Sequence, residues 1–345
     1  MRTRIVTYIG LAAILLGFSA SDVLGQGADR RGTAGATYLL LPVTAQTASL
    51  GNTATGGSAT MSGLEALYSN PSALMLNTGT NVMFSNMQYF ADIGVNTFGV
   101  AQRVGSGNVA LVVTAWDFGE IPRTTEDLPE VSDFTFSPQF LQFGLSYARQ
   151  LTDRIAAGAT LKILNEDIEL VSATGIAIDA GMSYTVGETG LRFGVALKNF
   201  GPQMTYSGDG LTQQVVLPGA PSNATTQAVT IEAEGFELPA ILNFGVSYTR
   251  ELAQDVNVGL LGNYRSNSFA QDQFSGGLEL GFRDILYVRG AYELQEDMDQ
   301  TAFDGWSVGA GLNFEFSGRS ASFDYSYSGA EFFDAVQMFT VQVTL

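Results

Sequence analysis

Asp297, Asp299 and Thr301 stand at alternate positions, the spacing of the first ligands in a calcium loop. Such a loop needs glycine at its sixth position for the turn and glutamate at its twelfth for bidentate ligation. Ala302 and Val308 occupy those places, so an EF-hand is excluded. Gly105-Ser106-Gly107-Asn108-Val109-Ala110 loosely fits the glycine pattern that cradles a dinucleotide. It joins strand to strand with no helix after it, so it reads as a hairpin turn. The chain contains no His and no Cys. That excludes Ser-His-Asp and Cys-His catalysis, His/Cys zinc sites and haem ligation through either residue. Two carboxylates could act as acid and base, but no pair stands out. The chain is therefore not expected to be an enzyme, and no cofactor or metal is expected. A net charge of −18 has the wrong sign for a nucleic-acid partner.

Nine other charges belong to a different pattern. Lys162, Asp179, Arg192, Lys198, Arg265, Glu279, Arg289, Glu315 and Asp324 fall in segments that alternate apolar residues with small or polar ones. Leu141, Phe143, Leu145 and Tyr147 oppose Gln142, Gly144, Ser146 and Ala148. Trp306, Val308, Ala310, Leu312 and Phe314 oppose Ser307, Gly309, Gly311, Asn313 and Glu315. This period of two is the signature of strands. It predicts strands at 81–90, 95–104, 107–117, 138–150, 154–165, 174–186, 190–200, 239–251, 255–266, 273–282, 285–294, 305–316, 320–328 and 336–345. Fourteen is an even number, and most of these segments match what a tilted strand needs to cross a bilayer of roughly 25–30 Å. A charge on the lipid face costs several kcal/mol near the midplane, so all nine are placed in the lumen. There they would pair across the barrel, pair with a plug, or line a transport path. Inward glycines at 144, 158, 181, 194, 245, 259, 277, 309 and 311 leave room for a plug.

Composition agrees with strands in lipid. Charged residues are only 14% of 345, against roughly 25% in a soluble domain. Forty glycines and 23 phenylalanines accompany them. Past residue 25 there is no apolar run of about 20 residues, the length a membrane helix needs. Arg2 and Arg4 followed by apolar Ile5 to Ala20 and by Val23-Leu24-Gly25 read as a signal peptide over 1–25. Residues 26–80 form a small-residue segment read as a plug, with a short helix through Met61, Leu64 and Leu67. Residues 81–345 form the barrel. Connections alternate between short turns and longer, acidic loops, the longest being 118–137 and 201–238; 166–173 is read as another loop, and Glu166 is placed on the acidic rim. In outer-membrane barrels the long loops face outwards. The fold class is thus all-β, a 14-stranded antiparallel transmembrane β-barrel with an N-terminal plug segment, integral to the outer membrane of a Gram-negative cell and surrounded by its lipid.

Leu50-Gly51-Asn52 and, later, Asn70-Pro71-Ser72-Ala73-Leu74 resemble the plug signature of FadL-like outer-membrane barrels, most closely that of the PorV/PorQ branch. That branch usually has Leu-Gly-Gly and Asn-Pro-Ala-Gly-Leu, so this chain departs at Asn52, Ser72 and Ala73. The resemblance marks Leu50, Gly51, Asn70, Pro71 and Leu74 as plug-motif residues. It implies a non-catalytic binding or shuttle role in type IX protein secretion, with secretion-system proteins or secreted cargo held at the extracellular loops. The alternative is a FadL-like transporter of hydrophobic small molecules such as long-chain fatty acids. That reading needs a hydrophobic ligand in the lumen, an apolar pocket between plug and wall, and a lateral opening.

Overall fold

The structure is a computed structural model. It describes residues 33–58, 60–61, 63–77, 79–124, 134–216, 225–295, 303–331 and 333–345. The segment read as a signal peptide and the Asp297-Asp299-Thr301 spacing lie outside them.

Among the described residues, fourteen strands close a barrel in chain order, every neighbour antiparallel. They are β1 (Asn81–Gln88), β2 (Gly94–Val104), β3 (Gly107–Asp117), β6 (Gln139–Thr152), β7 (Ile155–Ile168), β8 (Val171–Thr185) and β9 (Leu191–Phe200). The circuit continues through β12 (Ile241–Ala253), β13 (Val256–Asn267), β14 (Gln273–Phe282), β15 (Leu286–Gln295), β16 (Phe303–Phe316), β17 (Arg319–Ala330) and β18 (Val336–Thr344). β1 and β18 seal it in unbroken register from Asn81↔Thr344 to Gln88↔Gln337. Closure leaves no unpaired edge, which a strand in lipid cannot tolerate because no water is there to satisfy it. Two small hairpins stand on the long-loop rim, β4 (Ile121–Pro122) with β5 (Thr135–Phe136) and β10 (Thr212–Val215) with β11 (Gln227–Thr230).

The wall is apolar outside and largely polar inside. On β7, Thr160, Lys162 and Glu166 are buried while Leu161 and Ile163 are 45% and 47% exposed. On β12, Asn243 and Ser247 are buried and Phe244 is 46% exposed. A water-soluble barrel would reverse these faces; here the outward face is the one hydrocarbon covers. The chain is an integral outer-membrane β-barrel.

One expected loop is absent. β7 and β8 run on to Ile168 and Val171, so the connection expected at 166–173 is a tight turn at Glu169-Leu170, with Glu169 at φ 55°. Glu166, expected on the acidic rim, therefore lies on the inner face of β7, 2% exposed, and accepts from the Tyr206 hydroxyl of the long 201–240 connection.

The described residues between 33 and 80 fill the lumen. They enter at the long-loop rim, where Gly35 N donates to Glu237 O at 3.1 Å, and leave at the other end into β1. Among the described residues α1 (Ala45–Ser49) and α2 (Gly63–Ser69) are joined through one 3-10 turn, Ala54–Gly56, and others precede α1 and follow α2. Each helix takes its N-terminal bond from the wall. Ala45 N donates to Thr340 Oγ1 at 2.8 Å and Leu64 N to Gln342 Oε1 at 3.0 Å. These contacts satisfy helix-end donors that would otherwise be buried unpaired. Apolar clusters join plug to wall: Leu64, Leu67 and Leu74 meet Met83, Ala101, Ala110, Val112 and Ala148 of β1, β2, β3 and β6, and Val43, Ala45 and Ala48 meet Met87, Val95, Trp116, Val336 and Met338.

Candidate functional site

The lumen contains a plug seat, buried ionic groups and cavities between plug and wall. The seat is built around Asn70. Its Nδ2 donates to Thr55 O at 3.0 Å within the plug and to Met182 O and Val195 O, at 3.2 and 3.4 Å, on β8 and β9. Its Oδ1 accepts from Ser72 N at 3.0 Å and Ser72 Oγ at 2.8 Å, which caps the 3-10 turn Pro71–Leu76. Pro71 suits the first position of that turn because its missing N–H would have had no partner there. Wall glycines receive this motif. A Cβ at Gly181 would overlap Asn70 Oδ1, one at Gly158 the Pro71 carbonyl, and one at Gly194 the Thr55 carbonyl. Gly158 pairs with Gly181 across β7–β8, and Gly194 with Gly245 across β9–β12. Leu50 and Leu74 are fully buried, and Gly51 has φ 52°, a left-handed end to α1 that favours glycine. Gly144 and Gly259 do not face the plug closely; their nearest neighbours are wall side chains.

The nine predicted lumenal charges fall into distinct environments. Lys162 pairs with Asp179 at 2.7 Å and donates to Asn199 Oδ1 at 2.7 Å. Lys198 donates to the plug carbonyl of Tyr68 at 2.9 Å, and Arg192 lies beside Gly57 of the plug. Arg289 pairs with Glu279 at 2.8 Å and Asp324 at 2.5 Å, and reaches Thr60 of the plug at 3.0 Å. Thr60 in turn donates to Glu279 at 2.6 Å. Arg265 donates to Asn243 and Gln273. Glu315 shares the inward parity but is exposed at the short-turn end of β16.

Sequence reasoning missed two carboxylates here. Glu293 lies two residues along β15 from Ala291 and four from Arg289, so the same alternation could have found it. Glu65 is the single charged residue from Thr33 to Thr80, a signal in itself. It is 2% exposed, and its Oε1 has no hydrogen-bond partner. The Gln46 amide, oriented to satisfy both its ends, donates to Glu65 Oε2 and accepts from Arg289. Burial foremost, then the neighbouring Asp324, pushes the Glu65 carboxyl well above the ordinary range, with Arg289 opposing.

The larger cavity measures about 220 Å³ and lies between plug and wall in the long-loop half of the barrel. Leu40, Leu41, Pro42 and Ala48 of the plug face Met87, Val336, Met338 and Trp306 of the wall across it. Arg265, Gln273, Glu293 and Asn52 make its polar part. At its rim, burial pushes the Tyr89 phenol pKa up to about 12. Gly305, Trp306, Ser328 and Gly329 also line it, where the β16–β17 ladder is broken. Between Phe303↔Ala330 and Ser307↔Ser328, three residues of β16 stand opposite one of β17. A second cavity of about 40 Å³ shares Leu41, Pro42 and Asn52 with the first and is lined by Lys162, Lys198, Gln142 and Gly144. It is large enough for water.

No protein-family model and no curated protein matches this chain. Solved structures do. The toluene transporter TodX of Pseudomonas putida covers 85% of this chain and 96% of its own, with a TM-score of 0.51 and 12% identity. A TodX mutant described as a monoaromatic hydrocarbon channel matches with a TM-score of 0.51 and 11% identity, over 87% of this chain and 97% of its own. A Pseudomonas aeruginosa FadL homologue matches with a TM-score of 0.50 and 14% identity, over 88% and 98%. At such identities the likeness is one of fold: a FadL/TodX-like fourteen-stranded barrel with its N-terminal segment inside. The finer PorV/PorQ branch gains no support from it.

Proposed function

We propose that this barrel carries small hydrophobic molecules across the outer membrane, in the manner of a FadL-like transporter. The observation that carries this reading is the 220 Å³ apolar cavity between plug and wall. An engineered apolar cavity of about 150 Å³ is enough to bind benzene, so this one suits a single aromatic ring or a chain of about eight carbons. The broken β16–β17 ladder at Trp306 adds a second support, since it puts the cavity beside the lipid-facing wall at a point without continuous backbone bonding. The likeness in fold to a toluene transporter and a monoaromatic hydrocarbon channel is in keeping with a ligand of that size. Type IX secretion, with cargo held by the long loops, is the reading this displaces.

The test is equilibrium binding of toluene and 1-octanol to the purified barrel and to Met338→Trp. Met338 is fully buried on the cavity wall, and an indole there fills the space. Binding should be lost in the variant while the barrel keeps its heat-resistant migration on gels. Equal binding by both proteins would refute the cavity as the site. A barrel with the 118–138 and 201–240 connections shortened should bind as the parent does; capture of secreted cargo by the parent and its loss on shortening would restore the secretion reading.

A further inference from the structure

The cavity's lining includes two charged residues, Arg265 and Glu293, one of each sign. They project from β13 and β15, on either side of β14. Arg265 pairs with Gln273 and Gln273 with Gln295, so Glu293 lies two strand spacings of about 4.8 Å across and two residues of about 3.4 Å along from it, roughly 12 Å between backbones that the two long side chains can close on one small head group. Arg265 uses Nε on Asn243 Oδ1 at 3.2 Å and Nη1 on Gln273 Oε1 at 3.0 Å. Glu293 accepts from Asn52 of the plug at a stretched 3.5 Å. Among the described residues the two form no ion pair with each other.

A lone arginine at the polar end of an apolar cavity would select a carboxylate, and a lone glutamate an amine. Both together cancel the net charge while offering a donor and an acceptor. A carboxylate that reached Arg265 would place a second negative charge close to Glu293, in a site with little water to screen it. A neutral head with its own N–H or O–H and an oxygen satisfies both sides without that repulsion. We infer that the cavity selects amphiphiles with an uncharged donor–acceptor head, a primary amide or an alcohol, over the carboxylate of the same chain. This rests on the cavity being the ligand site, as proposed above. It makes Arg265 and Glu293 the residues that set head-group specificity, with Asn52 carrying the plug's side of the contact.

The experiment compares octanamide, 1-octanol and octanoate on the full-length barrel at neutral pH by titration calorimetry, with Met338→Trp as the blank. Octanamide should bind about tenfold or more tightly than octanoate, because a carboxylate brought into a buried site whose charges already cancel loses its hydration without net compensation. Glu293→Gln should raise octanoate affinity by about the same factor and leave octanamide within about threefold. Octanoate binding the parent as tightly as octanamide would overturn the inference, and that comparison needs no variant to fold. An unchanged ratio in Glu293→Gln would overturn it equally. If all three bind the parent and are lost in Met338→Trp with no preference among them, the cavity reading stands and the specificity fails. If none binds, or all bind the blank equally, both fail.

Discussion

Replacing Gly181 by alanine should loosen the plug, and replacing Asn70 by alanine at the same time should restore part of what is lost. Gly181 does not have a left-handed φ, so only contact forbids the methyl. A Cβ there would overlap Asn70 Oδ1 and sit 2.9 Å from Pro71 Cδ. Both atoms are buried and belong to the capped turn, so overpacking should cost about 1–3 kcal/mol. Asn70→Ala alone removes the acceptor of Ser72 N and the donor to three carbonyls. Leaving such buried groups unpaired costs about 1–3 kcal/mol. In the double variant the overlap with Oδ1 no longer exists, and the remaining contact is with Pro71 Cδ. The two costs should therefore fall short of their sum by about 1 kcal/mol or more, the range expected for touching residues. Hydrogen exchange of the α2 amides reads plug stability directly, while thermal melting of strand signal reports the barrel. The plug signal should move and the barrel melting should not. Strictly additive costs, or a loss of the whole barrel at once, would refute the seat described here.

Other outcomes follow from the same geometry. Arg289→Met should destabilise by about 3–5 kcal/mol, because it strands Glu279 and Asp324 in the interior without their cation; refolding into detergent measures it. Burial holds the Glu65 carboxyl pKa well above its ordinary value in the folded state. A raised acid leaves stability intact below the unfolded value and removes it as pH rises through the folded one. Proteolytic release of the plug should thus speed up as pH rises above the ordinary carboxyl range in the parent, and less steeply in Glu65→Gln; parallel profiles would contradict the assignment. Cysteine at Thr226, exposed near β11, should react with an impermeant thiol reagent on intact cells, and cysteine at Ser317 should not; the reverse would turn the barrel over.

The strands were legible because outward apolar residues alternate with inward small or polar ones, a pattern local to each segment. Their ends were less so. Glu166 to Ala173 contains four polar or charged residues, which reads as loop, yet Glu166↔Ala173 and Asp167↔Ser172 still pair. Inward polarity in this barrel removes the cue that usually marks a strand's end. The β10–β11 hairpin, Thr-Gln-Gln-Val against Gln-Ala-Val-Thr, is polar on both faces and left no period to read. The Asn70-Pro71 turn could be seen in sequence; its partners could not, since Met182 and Val195 contribute only backbone carbonyls. The cavity is made by plug residues 40–52 meeting seven distant strands, and no local pattern encodes such a space.

The most direct test of the account is a crystal grown with bromobenzene, whose bromine is located by its anomalous signal. A peak between Leu41, Met87 and Met338, absent from Met338→Trp crystals, is the result expected of a barrel that takes small hydrophobic molecules into its lumen. Bromine found only on the lipid-facing exterior, with the cavity empty at saturating ligand, would contradict it.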